Sequence, residues 1–333
     1  MRAIAFILAL AFAPILVSPA QAQLATMKIG TATIGDGDQN KWMDWFKERV
    51  EKRVGAKLKV ELYPGSQLGD NTRMVEGIQL GTLEGYVGPP GFSTPTDRRF
   101  QILDVPGVFK SLQQGQKIVT DPAFRKYFLS LGEAKGVEGI SIWASGTSIF
   151  VTAKKPIRTV DDFRGLKLRV MANKMESETM GRLGSTGIPM ALGETLPAMQ
   201  TGVIDGTKLA LVVADGFKYW TIAKYITETE EALIISMVTV NKPFLDKQPT
   251  NVRSAILTEA QKLDDDMHAY SMEKRKTYRK NWVANGGELV SFTPEEHKKL
   301  LDKLATVGET YVADQPELKA AYEKLLETAK KYP

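Results

Sequence analysis

Few residues in this 333-residue chain could do covalent chemistry. There is no cysteine, so thiolate nucleophiles and cysteine metal ligands are excluded. The two histidines, His268 and His297, fall in highly charged helical stretches, where a solvated surface role is expected. No serine sits in a G-x-S-x-G turn, and neither G-x-x-x-x-G-K-[ST] nor H-E-x-x-H occurs. "DGDQNK" from Asp36 opens like a calcium loop but has Lys41 at the glycine position and Lys47 where the bidentate Glu belongs. The acid pairs Asp161/Asp162 and Glu230/Glu231 have no distinguishing neighbours in sequence. This inventory predicts neither an enzyme nor a bound metal or cofactor.

What stands out is an arginine. In "DDFRGLKLRV" (161–170), Leu166, Leu168 and Val170 alternate with Lys167 and Arg169, the pattern of a half-buried strand. A strand arginine is commonly solvated. Its alternative use is to grip a carboxylate, because the planar guanidinium offers two parallel charge-assisted hydrogen bonds. These ten residues leave both uses open, and Lys167 is read as solvated.

The elements that must position Arg169 alternate between strand and helix. "MKIGTAT", "KLKVELY" and "LEGYVG" read as strands around the helices "NKWMDWFKERVEKRVG" and "NTRMVEGIQLG", each closed by a glycine. The alternation restarts with "GISIWASGTSIFVTAKK", then "LKLRVM", the helices around "MESETMGRLG" and "GETLPAMQTGVIDG", and apolar "TKLALVV". From Pro249 to about Asn285 one long helix is predicted, with Val252, Ile256, Leu263, Met267 and Tyr270 on one side. Thr293 caps a further helix with Pro294 at its first position, and "PELKAAYEKLLETAKKYP" closes the chain. The expected fold class is α/β, a two-lobed clamshell with a hinge and a long bridging helix. Lobe I is expected over 23–146 plus about 235–282, and lobe II over 147–234 plus about 283–333.

Composition fits that picture: 43% hydrophobic and 25% charged residues describe a folded chain of two ordinary domains. Its 44 basic and 39 acidic residues are interleaved, as in "KERVEKRVGAKLK", so a nucleic-acid partner is not expected. The N-terminus has Arg2, an apolar run from Ala3 to Val17 and the small-residue pattern Ala20-Gln21-Ala22. These mark 1–22 as a signal peptide cleaved after Ala22. A membrane anchor would need about 20 apolar residues, and Pro14 interrupts the run. Without a lipidatable cysteine, the mature protein is expected in the periplasm.

Three stretches in order, "YPGSQLGDNTRMVEGIQLGTLEG", "KPIRTVDDFRGLKLRV" and "PMALGETLPAMQTGVIDG", resemble the solute-binding proteins of tripartite ATP-independent periplasmic (TRAP) transporters, the DctP type. The resemblance covers essentially the whole mature chain. It implies a clamshell that captures a small-molecule organic acid and hands it to the TRAP membrane permease subunits, and it is taken to act as a monomer. In that family the arginine of "GLKLRV" pairs with the ligand carboxylate, which implies that role for Arg169. Met171 and Asn173 follow it in the same motif. An ABC-type periplasmic receptor would share the clamshell but not this motif order.

The departures bear on the ligand. Members binding dicarboxylates or sialic acid often have a second arginine in a "GTR" context, where this chain has Ser148 in "SGTSIFV". After the "DG" turn the usual Glu-Asn-Pro is replaced by Thr207, Lys208, Leu209 and Ala210, with Leu209 at the asparagine position. Pro89 and Leu192 likewise stand where polyhydroxylated or doubly charged ligands find other partners. Trp143, Phe92 and Trp220 are candidate apolar walls. A buried ligand hydroxyl or second carboxylate without a partner costs roughly 2 kcal/mol or more. The expected ligand is therefore a monocarboxylate with an apolar or aromatic body, the alternative being a C4-dicarboxylate or sugar acid.

Overall fold

The computed structural model describes residues 25–333; the expected signal peptide and its cleavage site lie outside them. Among the described residues, one nine-stranded sheet is built from β1 (Ala25–Gly30), β2 (Leu58–Tyr63), β3 (Gly85–Gly88), β4 (Val137–Thr152), β5 (Lys167–Val170), β6 (Thr186–Pro189), β7 (Gly206–Ala210), β8 (Tyr225–Asn241) and β9 (Glu288–Ser291). Their order is β2-β1-β3-β8-β4-β7-β5-β6, with β9 also beside β8. β1 runs parallel to β2 and β3 in one lobe, and β5 runs parallel to β6 and β7 in the other.

The long antiparallel pair β4 and β8 belongs to both lobes. Residues 237–240 of β8 pair with β3, whereas residues 148–152 of β4 pair with β7. Between these ends the β4–β8 register shifts at Ala144/Gly146 and again at Thr147/Ile149. Such breaks bend a strand pair and increase its local twist. Opposite them, Glu230 has φ +53°, a left-handed conformation that a non-glycine residue adopts only when its surroundings impose it. β8 is hard to see in "YITETEEALIISMVTVN" because Glu228, Glu230 and Glu231 interrupt its apolar pattern at this crossing point.

The helices follow their apolar periods. Asp38–Val54 buries Trp42, Met43, Phe46 and Val50 against the sheet and the long helix. Gly55 ends it with φ +61°. Asn71–Leu80 is capped by the Asp70 carboxylate, which accepts from Arg73 N, and Lys174–Leu183 by the Asn173 side chain, which accepts from Glu176 N. The 35-residue helix Thr250–Ala284, about 52 Å long at 1.5 Å per residue, agrees with the predicted span. It buries Val252, Ile256, Leu263 and Met267, while Tyr270 is half-buried at the edge of Trp45.

Asp264 pins this helix to β4. Its Oδ1 accepts from Ser141 Oγ (2.6 Å) and Ile142 N (3.0 Å), and its Oδ2 accepts from Arg125 Nε (2.6 Å). His268 is half-buried rather than solvated, with Nδ1 3.0 Å from the Ala144 carbonyl. Thr293 and Pro294 begin the helix Pro294–Leu304 as expected. That helix packs on Lys174–Leu183, and the last helix, Pro316–Lys330, packs on the segments Arg98–Asp104 and Leu112–Val119, so the C-terminal region touches both lobes.

Two local readings need correction. "TKLALVV" is not one strand: β7 stops at Ala210, and Leu211–Gly216 turns into a short helix at the cleft. β5 is not half-buried either. Leu168, Arg169 and Val170 are all buried, because β6 and β7 flank the strand and helices cover it, so alternation could not report which face was wet.

Candidate functional site

Parallel strands from both lobes end on one crevice of about 590 Å³. Ala32 and Thr33 follow β1, Pro89 follows β3, Met171 follows β5, and Lys208 to Ala210 close β7. Such crevices at carboxyl strand ends are where open α/β sheets bind ligands, since the chain turns away there and leaves space between the loops. A second cavity of about 440 Å³ shares Asp38, Ser145, Ala210 and Val212 with the first and leads to Arg275 and Tyr278.

Arg169 borders the crevice with only 3% of its surface exposed. Nε donates to the Met190 carbonyl at 3.0 Å, and Nη1 makes a long contact of 3.4 Å to the Lys208 carbonyl. These two bonds orient the guanidinium and use a minority of its five N–H donors. No acidic side chain among the described residues lies within ion-pair distance of it. Burial therefore lowers its pKa, with Glu176 and Tyr219 opposing the shift. A buried cation without a counter-ion at a cleft wall is chemically prepared to receive an anion.

The other buried cation is already neutralised. Lys208, 2% exposed, places Nζ 3.1 Å from Glu176 and 3.4 Å from Glu231. Burial disfavours its charge, but the two carboxylates win and its pKa is raised. Each acid is held in turn: Glu176 Oε2 accepts from Met171 N at 2.8 Å, and Glu231 accepts from Ser148 Oγ at 2.8 Å and from Thr229 Oγ1. Asp104 extends the cluster and accepts from Asn173 Nδ2 at 3.0 Å. Gly91 permits this approach, since a Cβ there would stand 2.4 Å from Asp104 Oδ2 and 2.8 Å from Asn173 Nδ2.

Burial first, then the Glu176 charge, push the Asp104 carboxyl well above its ordinary value of 3.8, against the pull of Lys208 and Asn173. A folded pKa above the unfolded one leaves stability complete below the ordinary carboxylate range and removes it as pH rises toward the folded value. Asp104→Asn retains an acceptor for Asn173 and does not titrate. Its melting temperature is therefore expected to gain on the wild type between about pH 5 and about pH 8. Scanning calorimetry at the two pH values checks this, and parallel curves would contradict it.

Of the nine residues selected from sequence, Arg169, Met171, Pro89, Phe92, Leu192 and Leu209 line the crevice together. Three do not line it. Ser148 is turned into the Glu231 cluster, Trp143 is buried in the core and donates its Nε1–H to Asp38 at 2.6 Å, and Asn173 caps its helix and holds Asp104. Trp220 packs edge-on against Trp282 away from the crevice. Ser145, three residues before Ser148, lines the crevice instead.

Several lining residues had not been singled out: Asp38, Gln39, Asn71, Glu176 and Lys208. A lysine inside the apolar run "TKLALVV" was the one available signal for the last of these. Gln39 is already engaged with Thr31, Thr33 and Ser236, and Asn71 Oδ1 accepts from the Tyr86 hydroxyl.

Residues 37–315 match the family model of the bacterial extracellular solute-binding proteins, family 7. The C4-dicarboxylate-binding periplasmic protein DctP of Rhodobacter capsulatus is 30% identical over 92% of this chain and 86% of its own length. The 2,3-diketo-L-gulonate-binding periplasmic protein YiaO of Escherichia coli is 24% identical over 88% of each chain. Among solved structures, a TRAP periplasmic solute-binding protein of Anaerococcus prevotii with bound glucuronate superposes with a TM-score of 0.87 at 22% identity, covering 93% of this chain and 99% of that one. A sugar-acid-binding protein of Advenella mimigardefordensis in complex with galactonate gives 0.87 at 23%, covering 92% and 98%. These two likenesses are to the fold.

Proposed function

The chain belongs to family 7 of the bacterial extracellular solute-binding proteins, and from that membership we propose that it is the periplasmic receptor of a TRAP transporter. It captures an organic acid with one carboxylate and an apolar or aromatic body and passes it, as a monomer, to the membrane permease. The observation that carries this reading is Arg169, a buried guanidinium at the crevice wall with two backbone carbonyls and no acid for partners. Lys208 offers no second anchor, since Glu176 and Glu231 already compensate it. A diacid would bring its second carboxylate into a crevice that also contains the Asp38 carboxylate. Phe92, Met171, Leu192, Leu209 and Val213 supply apolar wall for the ligand body.

The lobes rotate about the β4–β8 crossing, where the two register shifts and the left-handed Glu230 interrupt regular pairing. A second reading, capture of a C4-dicarboxylate, is favoured by the name of the R. capsulatus relative. Calorimetry with benzoate, 4-hydroxybenzoate, a short keto acid, succinate and glucuronate separates the two. An apolar monoacid is expected to bind tightest. Preference for succinate over every apolar monoacid would replace this reading with the second, and preference for glucuronate would replace it with capture of a sugar acid.

A further inference from the structure

Among the described residues, two ionisable groups at the crevice, one a base and one an acid, have no ion-pair partner. One is Arg169. The other is Asp38, which borders both the main crevice and its extension. Asp38 is the first residue of the helix Asp38–Val54, where the helix dipole and free amides favour a negative charge, but its burial outweighs these and the hydrogen bonds of Ser145, Trp143 and Ser271 and raises its pKa. Trp143 Nε1 donates to its Oδ2 at 2.6 Å, and Ser271 Oγ reaches the same oxygen at 3.3 Å. Its neighbouring cations are engaged elsewhere: Lys274 with Asp36, and Arg275 with Glu228 (3.3 Å) and Glu230 (2.8 Å).

We infer that Asp38 is a specificity-determining residue, the acceptor for a hydrogen-bond donor, hydroxyl or ammonium, that the ligand carries at the end away from its carboxylate. The crevice is then bipolar, with Arg169 reading the acid end, Asp38 reading the donor end and apolar side chains between them. This rests on the receptor reading above and narrows it. A plain apolar acid would bring no donor to Asp38 Oδ1, since Trp143 and Ser271 both reach Oδ2, whereas a distal donor replaces the water that this oxygen loses on closure. A second ligand carboxylate is disfavoured there for the same reason.

The test uses matched pairs of acids that differ only at the far end: benzoate against 4-hydroxybenzoate and 4-(aminomethyl)benzoate, and hexanoate against 6-hydroxyhexanoate and 6-aminohexanoate. Calorimetry on the full mature protein is expected to show a donor-bearing member binding at least about tenfold tighter than its parent acid. Asp38→Asn keeps an acceptor for Trp143 and is expected to fold. It should abolish the preference for the ammonium compounds and reduce that for the hydroxy acids. Arg169→Ala should weaken every member of a pair alike.

If the acids bind and depend on Arg169, but the donor brings no gain or Asp38→Asn preserves it, this inference is overturned and the receptor reading stands. If no acid binds, or binding ignores Arg169, both are overturned. A gain confined to ammonium compounds identifies a zwitterion as the preferred ligand. A gain shared by the hydroxy acids identifies a neutral donor.

Discussion

Arg169→Ala is expected to weaken binding of the preferred acid by at least about a hundredfold, because two charge-assisted hydrogen bonds at roughly 1.5–3 kcal/mol each disappear together. Arg169→Lys should fail nearly as badly: an ammonium cannot present the planar pair of donors, and its shorter reach gives up the Met190 carbonyl that now orients Nε. Arg169→Met separates binding from folding. In the unliganded protein the buried guanidinium lacks a counter-ion and burial lowers its pKa, so its charge is a burden on the empty fold. The Met variant is therefore expected to melt at or above the wild type while showing no ligand-induced rise. A variant that melts far lower, or that keeps the ligand-induced rise, would show that Arg169 serves the fold and not the ligand.

Lys208→Ala should have the largest effect on stability. It leaves Glu176 and Glu231 buried with their shared cation gone, and breaking such a cluster by one partner costs about 3–5 kcal/mol. For a chain of this size the loss corresponds to a fall in melting temperature on the order of 10 °C. Lys208→Met combined with Glu176→Gln and Glu231→Gln removes the charges as a set, and should recover most of that loss. Differential scanning calorimetry of the two variants decides the matter. Equal destabilisation in both would mean that the Lys208 stem, and not its charge, is what the fold requires. Because Glu176 also borders the crevice and accepts from Met171 N, the single variant should disturb ligand binding as well.

The sequence made the frame of this protein readable where one face of an element is wet and the other is dry. The stripe Trp42, Phe46, Val50 and the long helix up to Asn285 were visible because their periods separate core from solvent. The same reasoning failed on elements buried all round: it treated β5 as half-exposed and joined β7 to the helix after it. At the site, Arg169 and the apolar wall were accessible through the ordered motifs. Asp38, Glu176 and Lys208 were not, because what makes each of them notable is a partner, or the lack of one, contributed by a distant segment. Ser148 shows the complementary error. Its side chain turns to Glu231, and Ser145 lines the crevice instead.

The continuity of β4 and β8 has a consequence for how the molecule comes apart. Each strand begins in one lobe and ends in the other, and the long helix is fastened across β4 through Asp264. Neither lobe is a stretch of chain that could be cut out with its own complete sheet. Loss of either one strips two central strands from the other, so opening of the clamshell and unfolding of the protein are sharply different events: the first twists the shared strands, the second breaks them. Cooperativity of this kind allows a receptor to gape for its solute in a protease-containing compartment without exposing a half-molecule to digestion.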